Sequence, residues 1–215
     1  MKNNRLNPDV KSGSRPKSVG IKKEAEVRLP SKYGDFVLQA YFFANSGEWH
    51  LALVKGKWQN NESVLVRIHS SCLTGDIFGS LRCDCGPQLE KAIKMIEREG
   101  QGVLLYLNQE GRGIGLVNKI KAYSLQDQGH DTVEANHKLG FPADARNYEV
   151  AARILKNLAI KKINLLTNNP DKEKQLTALG IEINKCIPIE TEPNGVNNKY
   201  LITKKNKLGH RLNKV

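Results

Sequence analysis

From residue 102 onward, short unbroken apolar runs alternate with helical periods, and this alternation restricts the chain more than any other feature. GVLLYLNQ (102–109) and KINLLT (162–167) never alternate apolar with polar residues. Both therefore read as strands buried on two faces. Helical stretches follow at LVNKIKAYSLQDQG (116–129), 147–158 and DKEKQLTALG (171–180), the first and last closed by glycine, with IEINKCIPI (181–189) as a final strand. The upstream pattern differs. FVLQAYFFA (36–44), EWHLALVKG (48–56) and SVLVRIHS (63–70) are β-rich runs divided by Asn-Ser-Gly and Gln-Asn-Asn-Glu turns, which reads as an antiparallel meander. A helix at GPQLEKAIKMIEREG (86–100) joins the two parts, with Leu89, Ala92, Ile93 and Ile96 on one face. The expectation is a single α+β (mixed α/β) domain. Its N-terminal half is antiparallel and β-rich, and its second half is built of βα units.

Charge divides the chain differently. The formal charge is +12, but residues 1–30 hold eight Lys/Arg against three acids, and 199–215 hold six Lys/Arg and no acid. The remaining 31–198 carry 20 basic and 19 acidic residues. The basicity thus lies at the two ends, and a nearly neutral body argues against a nucleic-acid partner. We expect a flexible basic extension over 1–25 with order from near Val27, one folded domain over 26–198, and a solvated basic tail over 199–215. No apolar run approaches the roughly 20 residues of a membrane helix. Nor do the N-terminal charges precede the apolar core of a secretory signal. The expected compartment is the cytoplasm, where four cysteines read as thiols or metal ligands rather than disulfides.

Three of them, Cys72, Cys83 and Cys85, fall within SCLTGDIFGSLRCDCG. Their side chains can converge on one ion if Asp84 points away. Three protein ligands leave one tetrahedral position open, as in a catalytic zinc site. Two other readings stand beside it: reduced thiols near a turn, and a closed site that borrows His69. Cys186 reads as a small core residue. NQEGRGIGLVNK (108–119) sets a glycine-rich turn between a strand and a helix. Its N–H groups suit an anion, Arg112 offers a bidentate fork, and Glu110 can accept from a purine, although a plain tight turn explains the pattern equally. In LLTNNPDK (165–172), Pro170 opens a helix, and Thr167 and Lys172 are candidate ligand contacts at a strand end. Asp144 in PADARNYE (142–149) reads as a helix N-cap with Arg146 as a surface neighbour. His69 and His137 read as hydrogen-bonded structural histidines.

Taken together, RIHSSCLTGDIFGSLRCDCGPQLE, QEGRGIGLVNKIKAYSLQDQGHDTVEANHKLGFPADAR and LLTNNPDK closely resemble GTP cyclohydrolase II. The resemblance runs from about Val27 to the C-terminus. It implies a zinc enzyme of riboflavin synthesis that hydrolyses GTP to formate, diphosphate and a 2,5-diamino-6-(ribosylamino)pyrimidinone phosphate. It implies one zinc per chain on Cys72, Cys83 and Cys85, with magnesium accompanying the triphosphate. Arg67, Gln88, Glu110, Arg112, Thr132, Thr167 and Lys172 match substrate contacts, to which His69, Ser70, Ser71 and Gly111 in the same stretches are added. Tyr123 matches a tyrosine of the ring-opening chemistry. Asp144 and Arg146 match the family's proton acceptor and nucleophile. A guanidinium is a poor nucleophile, and a clamp on the α-phosphate is the physically easier role for Arg146.

The resemblance further implies a homodimer, and an N-terminal extension too short for a fused synthase domain makes a monofunctional chain the expectation. One position departs from the family's His-Ser-Glu-Cys, since this chain has Ser71 where the glutamate stands. That loss of a carboxylate suits either a tolerated change or a diverged paralogue that retains the formyl group or uses another nucleotide. A non-catalytic nucleotide- or nucleic-acid-binding protein is the alternative from outside enzymology.

Overall fold

The computed structural model describes residues 20–215. The chain forms β1 (Ile21–Ser31), β2 (Gly34–Phe43), β3 (Glu48–Lys55), β4 (Ser63–Ser70), α1 (Leu73–Asp76), α2 (Cys85–Glu99) and β5 (Gly102–Leu107). A 3₁₀ turn at Glu110–Gly113 precedes α3 (Leu116–Asp127), α4 (Thr132–Lys138) and α5 (Glu149–Asn157). Then come β6 (Lys162–Leu166), α6 (Pro170–Ala178), β7 (Glu182–Ile187) and α7 (Asn198–Leu208). The strands make one seven-stranded sheet ordered β1-β2-β3-β5-β4-β6-β7. The expected single α+β domain is what the chain forms.

Its two halves meet at β5. β1, β2, β3 and β5 pair antiparallel, whereas β5, β4, β6 and β7 pair parallel. The expected meander therefore ends at β3. β4, the third β-rich run of the sequence, lies one strand further along with β5 inserted between, because β4 and β5 are joined through α2 as a parallel crossover unit.

Alternate residues of the central strands feed two cores. Val64, Val66 and Ile68 of β4 join Val103, Leu105, Ile163 and Leu165 beneath α5. Leu65, Leu104 and Leu166 meet Ala92, Ile93 and Ile96 of α2 on the other face. The apolar stripe expected of 86–100 is the one that α2 buries. Cys186 packs partly buried against the larger core.

Both ends differ from expectation. β1 begins at Ile21, so residues 21–25 are strand and not extension, while residues 1–19 lie outside the described residues. The C-terminal basic segment is no solvated tail. α7 buries Leu201 and Lys204, and Leu212 is buried beyond it. Among the described residues, no helix is long and apolar enough to cross a membrane.

Candidate active site

In a parallel sheet, ligands collect at the strand C-termini where the connections diverge. Here β4 delivers Ser70 and Cys72, β5 delivers Glu110 and Arg112, and β6 delivers Thr167 to one cleft of about 1110 Å³, counted to its open mouth.

The cysteine cluster forms one wall. The Sγ atoms of Cys72, Cys83 and Cys85 all lie within 4.8 Å of one another, with Cys72 and Cys83 3.7 Å apart. Tetrahedral zinc with bonds of about 2.3 Å would hold its sulfurs about 3.8 Å apart, so the donor set fits zinc. Space for it depends on two glycines. A Cβ on Gly75 of α1 would meet Cys83 Sγ at 2.9 Å and Cys72 Sγ at 3.1 Å, and one on Gly86 of α2 would fall against the Gly75 carbonyl. Hydrogen bonds from Cys83 and Cys85, with Lys119 helping, lower the Cys72 thiol pKa against its burial, and the contact with Cys72, together with burial, raises those of Cys83 and Cys85. The crowded thiols thus disfavour ionising together, whereas a dication would ionise all three.

His69 is not a fourth ligand. Its Nε2 lies 3.0 Å from both carboxylate oxygens of Asp76 and donates there, and its ring stacks on Tyr106 at 5.5 Å. Asp76 also accepts from Tyr106 Oη (2.9 Å) and from the Cys72 amide (2.9 Å), so it fixes the first cysteine's backbone. Lys119, from α3, donates to Cys72 Sγ (3.0 Å), Thr74 Oγ1 (2.9 Å) and Glu110 Oε1 (2.8 Å). Glu110 Oε2 accepts from the Leu73 amide at 2.7 Å. Tyr123 lies 3.2 Å from Thr74 Oγ1, and burial raises its pKa, so it keeps its proton. Ser71 lines the cleft, and its buried Oγ has no hydrogen-bond partner among the described residues.

Cationic side chains line the cleft as well. Arg67 donates to Leu166 O (2.9 Å) and Gln88 Oε1 (2.7 Å). Arg112 sits at φ 60°, ψ 36°, a strained conformation for a side-chain-bearing residue, and reaches Thr132 Oγ1 at 3.4 Å. The Arg112 carbonyl accepts from the Ala145 amide at 3.0 Å, which ties the glycine-rich turn to the loop bearing Asp144 and Arg146.

Asp144 does not cap α5, whose N-cap is Tyr148. Instead its carboxylate accepts from the Arg146 amide (3.0 Å) and Nε (2.9 Å), so the local signal for a cap is in fact an orienting carboxylate. Burial opposes both charges and is outweighed: the pairing with Arg146 holds Asp144 below the usual carboxylate range, and Tyr148 together with Asp144 holds Arg146 above its ordinary value. Lys172 donates to Ile68 O at 2.7 Å. Burial pushes its pKa well down, with Arg67 and Arg146 adding to the fall. Asn169 caps α6 by accepting from the Asp171 amide (2.9 Å), with Pro170 first in the helix as expected.

Comparison with known proteins decides the family. The model of GTP cyclohydrolase II matches residues 22–188. The chain belongs to the GTP cyclohydrolase II family. Among its relatives, a riboflavin biosynthesis protein RibBA of Cytophaga hutchinsonii is 57% identical over 192 residues, 89% of this chain and 47% of that protein. The RibBA proteins of Aquifex aeolicus and Bacillus cereus are each 54% identical, over 88% and 90% of this chain and 47% and 49% of theirs. The chain therefore spans about half the length of the relatives it matches. A solved two-domain 3,4-dihydroxy-2-butanone 4-phosphate synthase, RibBX of A. baumannii, is 23% identical over 70% of this chain and 35% of its own, with a TM-score of 0.38.

On this GTP cyclohydrolase II scaffold the expected site residues, Asp144 excepted, line the one cleft, and Asp144 stands behind Arg146. Sequence reading did not single out Lys119, Asp76, Tyr200, Lys204 or His210. Of these, Lys119, Tyr200, Lys204 and His210 line the cleft, and Asp76 braces Cys72.

Proposed function

We propose that this chain hydrolyses GTP, opening the imidazole ring of guanine and releasing formate and diphosphate to leave 2,5-diamino-6-(5-phosphoribosylamino)pyrimidin-4(3H)-one. This is the entry step of riboflavin synthesis in the cytoplasm. The observation that carries it is one cleft lined both by the three-sulfur cluster and by Arg112, Arg146 and Lys172. Net, two waters are consumed in converting C8 to formate and a third in cleaving the bond between the α- and β-phosphorus.

Cys72, Cys83 and Cys85 would hold zinc, which supplies Lewis acidity to the chemistry at C8. Lys119 offsets the negative charge of the sulfurs and fixes Glu110, which faces the same space. Protonated Tyr123 is a hydrogen-bond donor on that wall. Arg146, held cationic and oriented by Asp144, clamps the α-phosphate and stabilises the charge that develops as diphosphate leaves. With its pKa lowered by the same pair, Asp144 serves better as an orienting carboxylate than as a base. Arg67, Arg112 and Lys172 gather the triphosphate with its magnesium, and that anion offsets the burial and the neighbouring Arg67 and Arg146 charges that push the Lys172 pKa down. The exposed apolar Ile77, Phe78, Val117 and Ile120 are surface that a second copy in a homodimer would cover.

Zinc-loaded protein incubated with GTP and Mg²⁺, followed by mass spectrometry with separate formate and diphosphate assays, tests this. Formate, diphosphate and the diaminopyrimidinone appearing together are expected, with activity lost on chelation. Full turnover by metal-free protein, or GTP left intact, overturns it. A formyl-retaining product identifies the diverged paralogue to which Ser71, in place of the family's glutamate, would point.

A further inference from the structure

α7 and the turn behind it lie beyond residues 22–188, the segment matched by the family model, yet they reach the cysteine cluster. Lys204 is 7% exposed, and its ammonium pairs with both carboxylate oxygens of Asp84 at 3.1 and 2.9 Å. Asp84, 3% exposed, is the residue between Cys83 and Cys85. It stands at the N-cap of α2, but its side chain caps nothing there. The carboxylate accepts instead from Gln88 Nε2 at 2.6 Å, and Gln88 in turn accepts from Arg67. A buried ion pair returns little net stability, because desolvation consumes most of the Coulombic gain, but it does hold a fixed orientation. Lys204 is placed to impose one, because α7 is itself anchored. Lys207 pairs with Asp131 and Glu134, the Arg211 amide donates to Asn168 O at 2.8 Å, and Leu201 is buried.

We propose that Lys204 is a positioning residue for the cysteine cluster, acting through Asp84 to hold Cys83 and Cys85 in the arrangement that receives the metal. The proposal rests on reading Cys72, Cys83 and Cys85 as a metal site. α7 is on this account part of the site's framework, and the carboxylate between two ligands is held by a cation 120 positions later.

Two readouts on the full-length chain test it. Zinc-loaded Lys204→Met should lose metal to a competing chelator about tenfold faster than the parent, the size of effect typical of residues that orient metal ligands. In metal-free protein, iodoacetamide labelling resolved by mass spectrometry should rise at Cys83 and Cys85 and stay level at Cys186, which sits on β7 away from the cluster. Labelling that rises in step at all four cysteines reports general loosening and overturns the proposal. Unchanged labelling, or unchanged metal retention, overturns it as well. In Asp84→Asn/Lys204→Met the metal loss should not exceed that of the worse single variant, and strictly additive losses contradict a shared route. If the parent chain itself takes up no zinc, the metal-site reading fails, while the labelling pattern still decides the role of Lys204.

Discussion

Three sulfur atoms within 4.8 Å of one another demand a nearby positive charge, and Lys119 supplies it from α3. The same ammonium neutralises Glu110, whose side chain is only 11% exposed. Removing one partner of such a pair strands the other and costs about 3–5 kcal/mol. Lys119→Met should therefore lower the urea midpoint sharply, and Lys119→Met/Glu110→Gln should recover most of the loss. A double variant no better than the single would show that Glu110 is not the group being stranded. Legibility at this scale followed sequence distance. Cys72, Cys83 and Cys85 were readable because they fall within fourteen residues of one another, and Thr167 and Lys172 because a strand end meets a helix start. Lys119 and Lys204 were not, since their partners lie 47 and 120 positions away and a lysine on a helix ordinarily faces water. Asp144 was misread because an aspartate that caps a helix and one that orients an arginine look alike until the helix start, here Tyr148, is known.

Between elements, the contact that decides the site is the approach of α1 to the first turn of α2. Gly86 leaves no room for a Cβ, which would fall against the Gly75 carbonyl. Helix propensity alone favours alanine over glycine by about 1 kcal/mol, whereas overpacking a fixed backbone costs about 1–3 kcal/mol. Gly86→Ala should thus destabilise the chain and loosen zinc retention together. A gain in the unfolding midpoint would mean that α1 yields without consequence. The elements themselves were mostly legible from period: α2, α3, α5, α6, β5, β6 and β7 lie where apolar spacing put them, within a few residues at their ends. β1 was missed over Ile21–Ala25 because an edge strand exposed along most of its length carries lysine and glutamate where a buried strand would carry valine. The pairing of β4 with β5 rather than β3 was invisible for another reason. Local pattern identifies a strand, and only the crossover through α2 chooses its neighbours.

At the scale of the whole molecule, the +12 charge is less free than its position in the sequence implied. In the C-terminal segment, Lys204, Lys207, Arg211 and Lys214 all meet carboxylates of the body. Acid acts on a different set of groups. His50 is 1% exposed, accepts from the Asn108 amide through Nδ1 at 3.1 Å and has no partner at Nε2 among the described residues. Burial pushes its pKa down to about 4. His69 is lowered by burial despite Asp76. His210 is lowered to about 2 by burial and by Lys204, Arg146, Arg112 and Lys172. The folded protein therefore keeps these rings neutral, whereas the unfolded chain protonates them near pH 6.5. Because the unfolded state binds more protons below that pH, their contribution to stability is complete above about 6.5 and is lost as pH falls. For His50 the loss runs from 6.5 to about 4, amounting to about 2 kcal/mol by pH 5. His50→Asn keeps an acceptor for the Asn108 amide but cannot titrate. The urea-derived stability gap between parent and variant should be constant above pH 7. Below 6.5 it should move in the variant's favour, by about 2 kcal/mol at pH 5. The comparison belongs on chelator-treated protein, so that release of metal from the thiolates in acid does not enter either curve. A gap that holds constant from pH 8 to 5 would mean that His50 titrates in the folded protein much as it does in the unfolded chain, and that its burial between β3 and the end of β5 carries no electrostatic cost.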